Sequence, residues 1–310
     1  MKINLANIKK AKKILNKSEC VAIPTETVYG LAGNAYSDKA CKKIFKLKKR
    51  PKNNPLIIHY YNRKNLEKDC VLNNDFIMLY KRFCPGPITF VLDLKRSSRI
   101  SKFATNSKKT LAVRFPKHPV TRKLLKKLNY PLAAPSANLS SKVSAVSSNH
   151  VRDDFGKKIK YILNGGKSSI GLESTIVDLR NNPKILRLGG LETSLIQKVL
   201  NKKISINNNP LTISSPGQFK LHYSPGIPIR LNIKKIKKNE ACLLIKKEKE
   251  TKSNYYFLSK SGNLKEAARN LYSMLRKIKK NKYKSIAVKK IPNRGLGKTI
   301  NDRLKRASKF

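Results

Sequence analysis

Strand-like and helix-like segments alternate along the first two hundred residues, and this alternation limits the folds open to the chain. Apolar residues at helical spacing occupy residues 5–15, and the run from Cys20 to Ile23 indicates a short buried strand. Further strands are predicted at 55–60, 88–94, 111–114, 131–134, 161–163, 174–177 and 185–187, and further helices at 37–47, 76–83, 120–128 and 192–200. Because strands interleaved with helices cover each other's apolar faces in layers, the pattern predicts an α/β fold.

The pattern changes after residue 200. Residues 201–226 are rich in Asn, Ser, Pro and Gly and have no sustained period, which is typical of a linker. Strands are again predicted at 242–245, 255–258 and 285–288, with helices at 264–278 and after Gly297. We therefore predict an α/β domain over residues 1–203, a linker over 204–226 and a small α/β domain over 227–310.

The charge of the chain is strongly unbalanced. It has 70 Lys and Arg residues against 17 Asp and Glu, a formal net charge of +53. Such a charge attracts polyanions, so nucleic-acid binding is one interpretation. The lysines are scattered from Lys2 to Lys309, however, and Asn and Ile are also abundant, as in proteins from AT-rich genomes. Because net charge bears on association and not on fold, both interpretations stay open.

The apolar runs and the cysteines indicate a cytoplasmic protein. Runs such as 55–61 and 241–245 are far shorter than the roughly 18–20 residues that span a bilayer. The first ten residues contain no continuous apolar segment of the kind found in signal peptides. The five cysteines form an odd set without a C-x-x-C pair, which favours reduced thiols over disulfides or a zinc site. We expect no membrane partner.

Four short segments combine hydroxyl, glycine and cationic residues outside any regular period. Pro24 to Leu31 and Ala134 to Asn138 follow predicted strands, Lys48 to Leu56 lies at the end of a predicted helix, and Gly171 to Ile176 enters a predicted strand. A single segment of this kind is typical of a turn with a capping hydroxyl. Since α/β folds place ligands at the loops that follow their strands, four such segments in one domain favour a common ligand site.

The residues of these segments restrict the chemistry. They include arginine, lysine and hydroxyls, but no histidine paired with serine or cysteine, no H-E-x-x-H and no obvious carboxylate pair. Such a site stabilises phosphate charge and positions reactants. Two P-loop-like tails, at Gly166 and Gly297, lack the required glycine five positions earlier, where Tyr161 and Pro292 stand. A nucleotide would therefore be bound without a P-loop.

The four segments, with Cys84-Pro-Gly-Pro-Ile-Thr and Val113-Arg-Phe-Pro, resemble the YrdC-like domain of threonylcarbamoyl-AMP synthases. Residues 215–225 resemble the linker of the two-domain form of that family, and residues 292–297 and 301–308 resemble the end of its C-terminal domain. The resemblance covers nearly the whole chain. It implies a YrdC-like twisted mixed sheet with flanking helices, followed by a small Rossmann-like α/β C-terminal domain.

The resemblance also implies a reaction. The amine of L-threonine captures bicarbonate or CO₂ as a carbamate, whose oxygen attacks the α-phosphate of ATP and expels pyrophosphate. The product, L-threonylcarbamoyladenylate, serves the first step of threonylcarbamoyl modification of adenosine 37 in ANN-decoding tRNAs. Mg²⁺ is expected to accompany ATP without a metal site of the protein's own. A downstream tRNA threonylcarbamoyltransferase complex is the expected partner, with weak tRNA binding as a further expectation.

Position by position, the resemblance assigns the site residues to two groups, with Lys48 and Arg50 as the catalytic cations. Threonine is assigned to Thr27, His59, Arg114, Ala134 and Ser174. ATP is assigned to Arg50, Asn54, Thr110, Ser136, Ser144, Arg187 and Tyr223, with Tyr223 of the linker expected to fold over the nucleotide. Glu26 and Glu173 are expected to orient loop amides.

Two other functions stay open at this point. An RNA-binding module for translation or ribosome maturation would use the basic surface and would not turn over ATP. A carbamoyl-adenylate step in hydrogenase maturation uses a similar domain, but the larger proteins that perform it carry zinc-finger cysteines and an acylphosphatase-like segment, which this chain lacks. Pyrophosphate release that needs both threonine and bicarbonate distinguishes the three.

Overall fold

The computed structural model describes residues 4–207, 222–248 and 252–309. The helices within these ranges are α1 Leu5–Asn16, α2 Asp38–Lys48, α3 Arg63–Leu66, α4 Asn74–Phe83, α5 Lys102–Thr105, α6 Pro119–Lys126, α7 Ser148–Phe155, α8 Thr193–Leu200, α9 Leu264–Lys280 and α10 Leu296–Ala307. The strands are β1 Val21–Ile23, β2 Gly30–Asn34, β3 Ile57–His59, β4 Ile88–Asp93, β5 Thr110–Arg114, β6 Leu132–Ala133, β7 Tyr161–Ile162, β8 Thr175–Asp178, β9 Lys184–Arg187, β10 Ser205–Ile206, β11 Ile229–Leu231, β12 Glu240–Lys246, β13 Tyr255–Ser259 and β14 Ser285–Val288.

The first ten strands form one mixed sheet in the order β10-β9-β8-β4-β5-β3-β6-β2-β1-β7. Parallel pairs such as β3 with β5 and β4 with β8 alternate with antiparallel pairs such as β4 with β5. The predicted α/β architecture is confirmed, and each predicted helix and strand lies within two residues of its predicted bounds. Among the described helices, none has both the length and the apolar character needed to cross a bilayer.

Local signals set the helix ends near the site. The Ser37 side chain accepts a hydrogen bond from the Ala40 amide, as expected of an N-cap that satisfies a free helix donor. Helix α2 ends at Lys48 because Lys49 takes the left-handed conformation, with φ at 50°. This reversal delivers Arg50 and the loop that follows it to the sheet.

The small second domain has a parallel sheet in the order β11-β14-β12-β13. Helix α9 packs on β13 and also contacts α10, and its apolar stripe from Ala267 to Ile278 is buried. Helix α10 begins one residue before Gly297, which therefore lies inside the helix. A Cβ at Gly297 would stand 1.9 Å from the Pro292 carbonyl oxygen, so the close approach requires glycine.

The two domains share buried apolar surface. Val28, Val143, Val146 and Leu172 of the first domain belong to the same core cluster as the buried residues of α9 and α10. The predicted linker begins as an extra strand, because β10 pairs in parallel with β9. Its central part, residues 208–221, lies outside the described residues, and the predicted bounds of 204–226 stay a prediction.

Candidate active site

A cavity lies among loops and strand ends of the ten-stranded sheet, and its empty space, together with the open solvent at its mouth, amounts to ≈ 500 Å³. Each of the four polar segments singled out in the sequence contributes to its lining, and so does the linker. The lining includes eight of the predicted site residues, namely Arg50, His59, Arg114, Ala134, Ser136, Ser174, Arg187 and Tyr223.

The sheet register sets the cationic residues of the cavity in one row. His59 on β3 lies opposite Arg114 on β5, and Arg114 lies opposite Thr89 on β4. Thr89 in turn lies opposite Ile176 on β8, which pairs with Arg187 on β9. Two arginines and a histidine far apart in sequence are thereby set along one row of neighbouring strands, with His59 and Arg114 at one end and Arg187 at the other.

Arg114 and His59 form the first side of the cavity. The Arg114 Nη2 donates to Glu26 Oε1 at 2.7 Å, and Glu26 Oε2 accepts from the Lys117 amide at 2.9 Å. Glu26 thus orients a loop amide, as expected, and also pairs with Arg114. Arg114 Nε and His59 Nδ1 are buried and have no partner among the described residues. Burial, together with the Arg114 charge, lowers the pKa of His59 well below its usual value, so the imidazole is neutral at pH 7.

Ser174 stands between the two sides of the cavity. Its hydroxyl lies 2.7 Å from that of Thr89 and accepts a hydrogen bond from Arg187 Nη2 at 3.1 Å. The Arg187 Nε also donates to the Ser174 carbonyl at 3.1 Å. Replacement of the Ser174 hydroxyl would therefore also remove a hydrogen-bond acceptor of Arg187.

Arg50 forms the second side with Arg187. The Arg50 Nε donates to the Asn54 carbonyl at 3.0 Å, and Nη2 donates to the Asn54 side-chain oxygen and to the Pro55 carbonyl. All three of these acceptors belong to uncharged groups, so none of them balances the positive charge of Arg50. Burial, and next the charge of Arg187, lowers the pKa of Arg50 to about 9. Two buried guanidinium groups close enough to repel each other favour an anion between them.

Lys48 lies behind this side of the cavity. It is buried, and its ammonium group donates to the carbonyl oxygens of Ser136 and Asn138. Burial, and then the charge of Arg50, lowers its pKa well below the usual value. Lys48 does not line the cavity. Its contacts brace the loop that carries Ser136.

The other predicted site residues also lie outside the cavity lining. The Thr27 hydroxyl is fully buried, 2.8 Å from that of Thr25. Asn54 holds Arg50, and Ser144 donates to the Glu173 carboxylate at 2.6 Å. Thr110 begins β5 and is half-buried.

Comparison with known proteins identifies the family. A family model described as "Telomere recombination", covering Sua5, YciO and YrdC, matches residues 13–189. The model of the threonylcarbamoyl-AMP synthase C-terminal domain matches residues 191–309. A threonylcarbamoyl-AMP synthase of Pyrococcus abyssi is 36% identical over 98% of this chain and 94% of its own length. That of Bacillus subtilis is 34% identical over the same shares of each chain. This chain belongs to the threonylcarbamoyl-AMP synthase family.

Solved structures of this synthase family match over the whole chain. The crystal structure of P. abyssi Sua5 in complex with L-threonine has a TM-score of 0.91 and 34% identity, and the match covers 99% of this chain and 96% of that one. A P. abyssi Sua5 variant with alanine in place of an adjacent histidine and tyrosine has a TM-score of 0.88 and 32% identity, covering 99% and 94%. The fold and the two-domain organisation are those of Sua5.

Two residues of the C-terminal domain that the sequence did not assign to the site contact Glu173 of the cavity lining. The Glu173 carboxylate accepts hydrogen bonds from Ser144, from the Tyr272 hydroxyl at 2.8 Å and from Arg303 Nε at 2.9 Å. Burial alone would raise the Glu173 pKa, but Arg303, Arg187 and the two hydroxyls outweigh it and lower the pKa to about 2. Glu173 therefore holds side chains of both domains, rather than the loop amides expected of it.

Tyr223 and His222 close the cavity from the linker. Tyr223 has a φ of 64°, and its ring stacks on Tyr272 with centroids 5.8 Å apart. The Arg303 guanidinium carbon lies 4.7 Å from the Tyr223 ring centroid. The Tyr223 hydroxyl and His222 Nδ1 are buried without a partner among the described residues. Both line the cavity.

A sequence signal for these residues was present. The resemblance included the stretch from Asn301 to Ser308, which contains Arg303, and the linker stretch that contains His222. Because an arginine on an amphipathic helix is normally exposed, composition alone does not mark Arg303 as a buried residue.

Proposed function

We propose that this chain makes L-threonylcarbamoyladenylate from L-threonine, bicarbonate or CO₂, and ATP, with release of pyrophosphate. The observation that carries the proposal is the cavity itself, whose lining combines Arg114 beside a neutral histidine with two further arginines, Arg50 and Arg187. One cationic group suits the carboxylate of an amino acid, and two suit a polyphosphate. Family membership over the whole chain supports the same activity.

The reaction needs positioning and charge stabilisation. The threonine amine adds to CO₂ and loses a proton, which gives a carbamate. A carbamate oxygen then forms a bond to the α-phosphorus of ATP, and the bond from that phosphorus to the bridging oxygen breaks, so the electron pair leaves with pyrophosphate. In this proposal the free donor of Arg114 binds the threonine carboxylate, while Arg50 and Arg187 stabilise the charge that develops on the phosphates.

The closed cavity suits the unstable carbamate. A carbamate returns to amine and CO₂ in water, so a site that excludes water preserves it. Tyr223 is 1% exposed, and its ring forms part of the lining between the domains. We propose that Tyr223 covers the nucleotide and that the linker opens to release the adenylate.

Mg²⁺ is proposed to enter with ATP. The described ranges 4–207, 222–248 and 252–309 contain no group of three or more His, Cys, Asp or Glu side chains able to hold a metal ion. The Glu173 carboxylate of the cavity is engaged by Ser144, Tyr272 and Arg303. These residues fit an ion that sits on substrate phosphates and water, as Mg²⁺ commonly does. When bound, it would neutralise phosphate charge.

The proposed product reaches tRNA through another enzyme. Transfer of its threonylcarbamoyl group to adenosine 37 is assigned to a downstream tRNA threonylcarbamoyltransferase complex. The charge of +53 supports weak direct contact with tRNA as a further proposal. Steep loss of tRNA binding between 50 and 200 mM salt, without loss of synthase activity, would support such contact.

The decisive experiment follows pyrophosphate and adenylate in the same reaction. Pyrophosphate release from ATP is expected only with threonine, bicarbonate and Mg²⁺ together, and a matching amount of threonylcarbamoyladenylate is expected by mass spectrometry. ATP turnover without threonine, or tight RNA binding without any turnover, contradicts the proposal.

A further inference from the structure

A buried arginine of the C-terminal domain contacts two residues that line the synthase cavity, Glu173 and Tyr223. Arg303 on α10 is 1% exposed and donates through Nε to the Glu173 carboxylate at 2.9 Å. Its Nη2 donates to the Leu188 carbonyl and its Nη1 pairs with Asp302. Its guanidinium also lies over the Tyr223 ring. One side chain thus joins the second domain, the linker and the two loops that flank Ser174 and Arg187.

The position of Glu173 explains why a cation is needed there. Glu173 is the acidic residue that lines the cavity, and it is fully buried. A buried carboxylate beside a phosphate-binding site repels the phosphates, and it also attracts the arginines that should bind them. Arg187 is close enough to lower the pKa of Glu173, so the two charges interact directly. Arg303 supplies a counterion that bonds to the Glu173 carboxylate.

We propose that Arg303 is a positioning residue for ATP: it pairs with Glu173 and holds the Tyr223 ring, so that Arg187 is left available to the phosphates. The inference rests on the proposed function and assigns the C-terminal domain a part in nucleotide binding. Arg114, the proposed partner of the threonine carboxylate, needs no charge compensation from Arg303, because it has its own carboxylate partner in Glu26.

A purely structural role for Arg303 predicts a different result. If Arg303 only fastened the two domains, its loss would weaken threonine and ATP binding together, along with stability. A positioning role predicts a split, in which the KM for ATP rises while threonine affinity is kept. Both affinities can be measured by calorimetry, which does not require turnover.

The first test replaces Arg303 in the full-length protein. Arg303→Met keeps much of the volume but removes the charge, and the KM for ATP is expected to rise by about tenfold or more. Threonine affinity is expected to change by less than about twofold, since additive effects hold for sites without shared partners. Arg303→Lys keeps the charge and is expected to recover most of the loss. Arg306→Met, which removes the buried arginine that pairs with Asp302 one turn away, is the matched control.

A second substitution tests the cause. If the uncompensated Glu173 charge is what weakens ATP binding, the double variant Glu173→Gln/Arg303→Met should bind ATP more tightly than Arg303→Met alone. A double variant no better than the single one would overturn the inference. This comparison also remains informative if Arg303→Met is poorly folded, because the neutral pair restores a site without a buried unpaired charge.

The pH dependence provides a readout that a structural role would not change. Without Arg303 the pKa of Glu173 should rise from about 2, so its protonation should partly restore ATP binding as the pH falls from 8 to 5.5. The ratio of the variant's KM to the wild-type KM should therefore decrease. Among the groups facing Glu173, Arg187 stays charged, and burial and Glu173 raise the pKa of Tyr272 well above 10. Burial lowers the pKa of His222 to about 3, and a proton that His222 binds when the linker opens weakens ATP binding in the wild type as well, which is opposite in direction to the restoration expected here.

The outcomes separate the two proposals. Wild-type protein that makes no adenylate contradicts the proposed function. Wild-type protein that is active, with equal losses of ATP and threonine affinity in Arg303→Met or with no loss at all, contradicts the positioning role of Arg303 alone.

Discussion

The two sides of the cavity are built in different ways. On the threonine side, Arg114 pairs with Glu26 and aligns with His59 through neighbouring strands, all within the first domain. On the side proposed for the nucleotide, Arg50 and Arg187 lie in the first domain, but linker residues complete the lining and Arg303 of the C-terminal domain contacts it through Glu173. The charge of Arg114 on the threonine side is balanced by Glu26 of the same domain. The charge of Glu173 on the nucleotide side is balanced by Arg303, which is more than a hundred residues away in the chain.

This difference has a chemical consequence. A threonine side complete within one domain can bind its amino acid before the site closes. A nucleotide side that needs Tyr223 and Arg303 is complete only when the linker and second domain are in place. The carbamate can then meet ATP in a closed cavity, which is the order that protects it from water.

Loss of Arg50 should produce the largest effect. Arg50→Ala removes a preorganised phosphate contact, which should cost about 2–4 kcal/mol in the transition state, or roughly thirty- to nine-hundred-fold in kcat/KM. Threonine affinity should be unchanged, because the threonine side has its own cation. Steady-state kinetics and calorimetry on the same preparation check both statements.

The matched control for Arg50 is Lys52→Ala. Lys52 is an exposed cation two residues away in the same loop and does not line the cavity. It should retain nearly full activity. Equal losses in the two variants would mean that general positive charge, and not the placement of Arg50, attracts ATP.

Most of the first domain was predictable because its elements carry local signals. Apolar spacing and the Ser37 cap were sufficient to predict α2, and short β-branched runs predicted β3 and β8. Strand β2, Gly30–Asn34, was missed because its Gly-Leu-Ala-Gly-Asn sequence has no β-branched residue. It is a strand because β1 and β6 pair with it on both sides.

The candidate site was predictable only in part. The family motifs pointed to the cationic residues that line the cavity, and their individual roles stay predictions. Sequence did not reveal that Lys48 and Thr27 lie behind the lining, since nothing local distinguishes a side chain facing a cavity from one facing the loop beneath it. It also did not reveal Arg303, whose burial depends on Glu173, 130 residues earlier.

Ser174 offers the next test, because it stands where the two sides meet. Ser174→Ala should leave polar partners unpaired at about 1–3 kcal/mol, which is roughly five- to 150-fold in threonine affinity. Thr175→Val is the matched control, since the Thr175 hydroxyl bonds to the Leu191 backbone and not to the cavity. That control should lose stability and retain threonine affinity.

Calorimetry on the Ser174→Ala variant also tests which substrate binds on which side of the cavity. Ser174 accepts from Arg187, so some loss of ATP affinity is expected as well. If ATP affinity collapses while threonine affinity is unchanged, the two sides have been assigned the wrong substrates.

Tyr223 should give a smaller effect that separates its ring from its hydroxyl. The buried hydroxyl has no partner among the described residues, so we expect the bound nucleotide to supply one. Tyr223→Phe should lose about 1 kcal/mol, roughly fivefold in ATP affinity. Tyr223→Ala should in addition lower the adenylate formed per pyrophosphate released, because water then reaches the carbamate. If Tyr223→Phe binds ATP as tightly as the wild type, the Tyr223 hydroxyl contributes nothing to ATP affinity, and only the aromatic ring of Tyr223 acts on the nucleotide.

The smallest effect should come from lowering the pH to 6.0, which should reduce ATP affinity and leave threonine affinity unchanged. Burial is the main cause that lowers the pKa of His222 to about 3, and Arg50, Arg303 and Arg187 lower it further against the opposing charge of Glu173. A histidine whose pKa is depressed in the closed state favours closure above its free value of about 6.5, and that contribution is lost as the pH falls below 6.5. At pH 6.0 the loss is about 0.8 kcal/mol, or roughly fourfold in ATP affinity, if the linker opens to let His222 bind a proton.

His59 provides the contrast within the same experiment. Its pKa is also depressed, by burial and by Arg114, but it lies in β3 beside β5, so Arg114 stays next to it when the linker opens and continues to disfavour its protonation. Threonine affinity should therefore stay constant between pH 7.5 and 6.0 while ATP affinity declines. His222→Asn should remove much of that decline, since asparagine does not titrate in this range. A parallel loss of both affinities in the wild type would mean that acid acts on the whole domain, and that the linker is no more easily opened than the sheet.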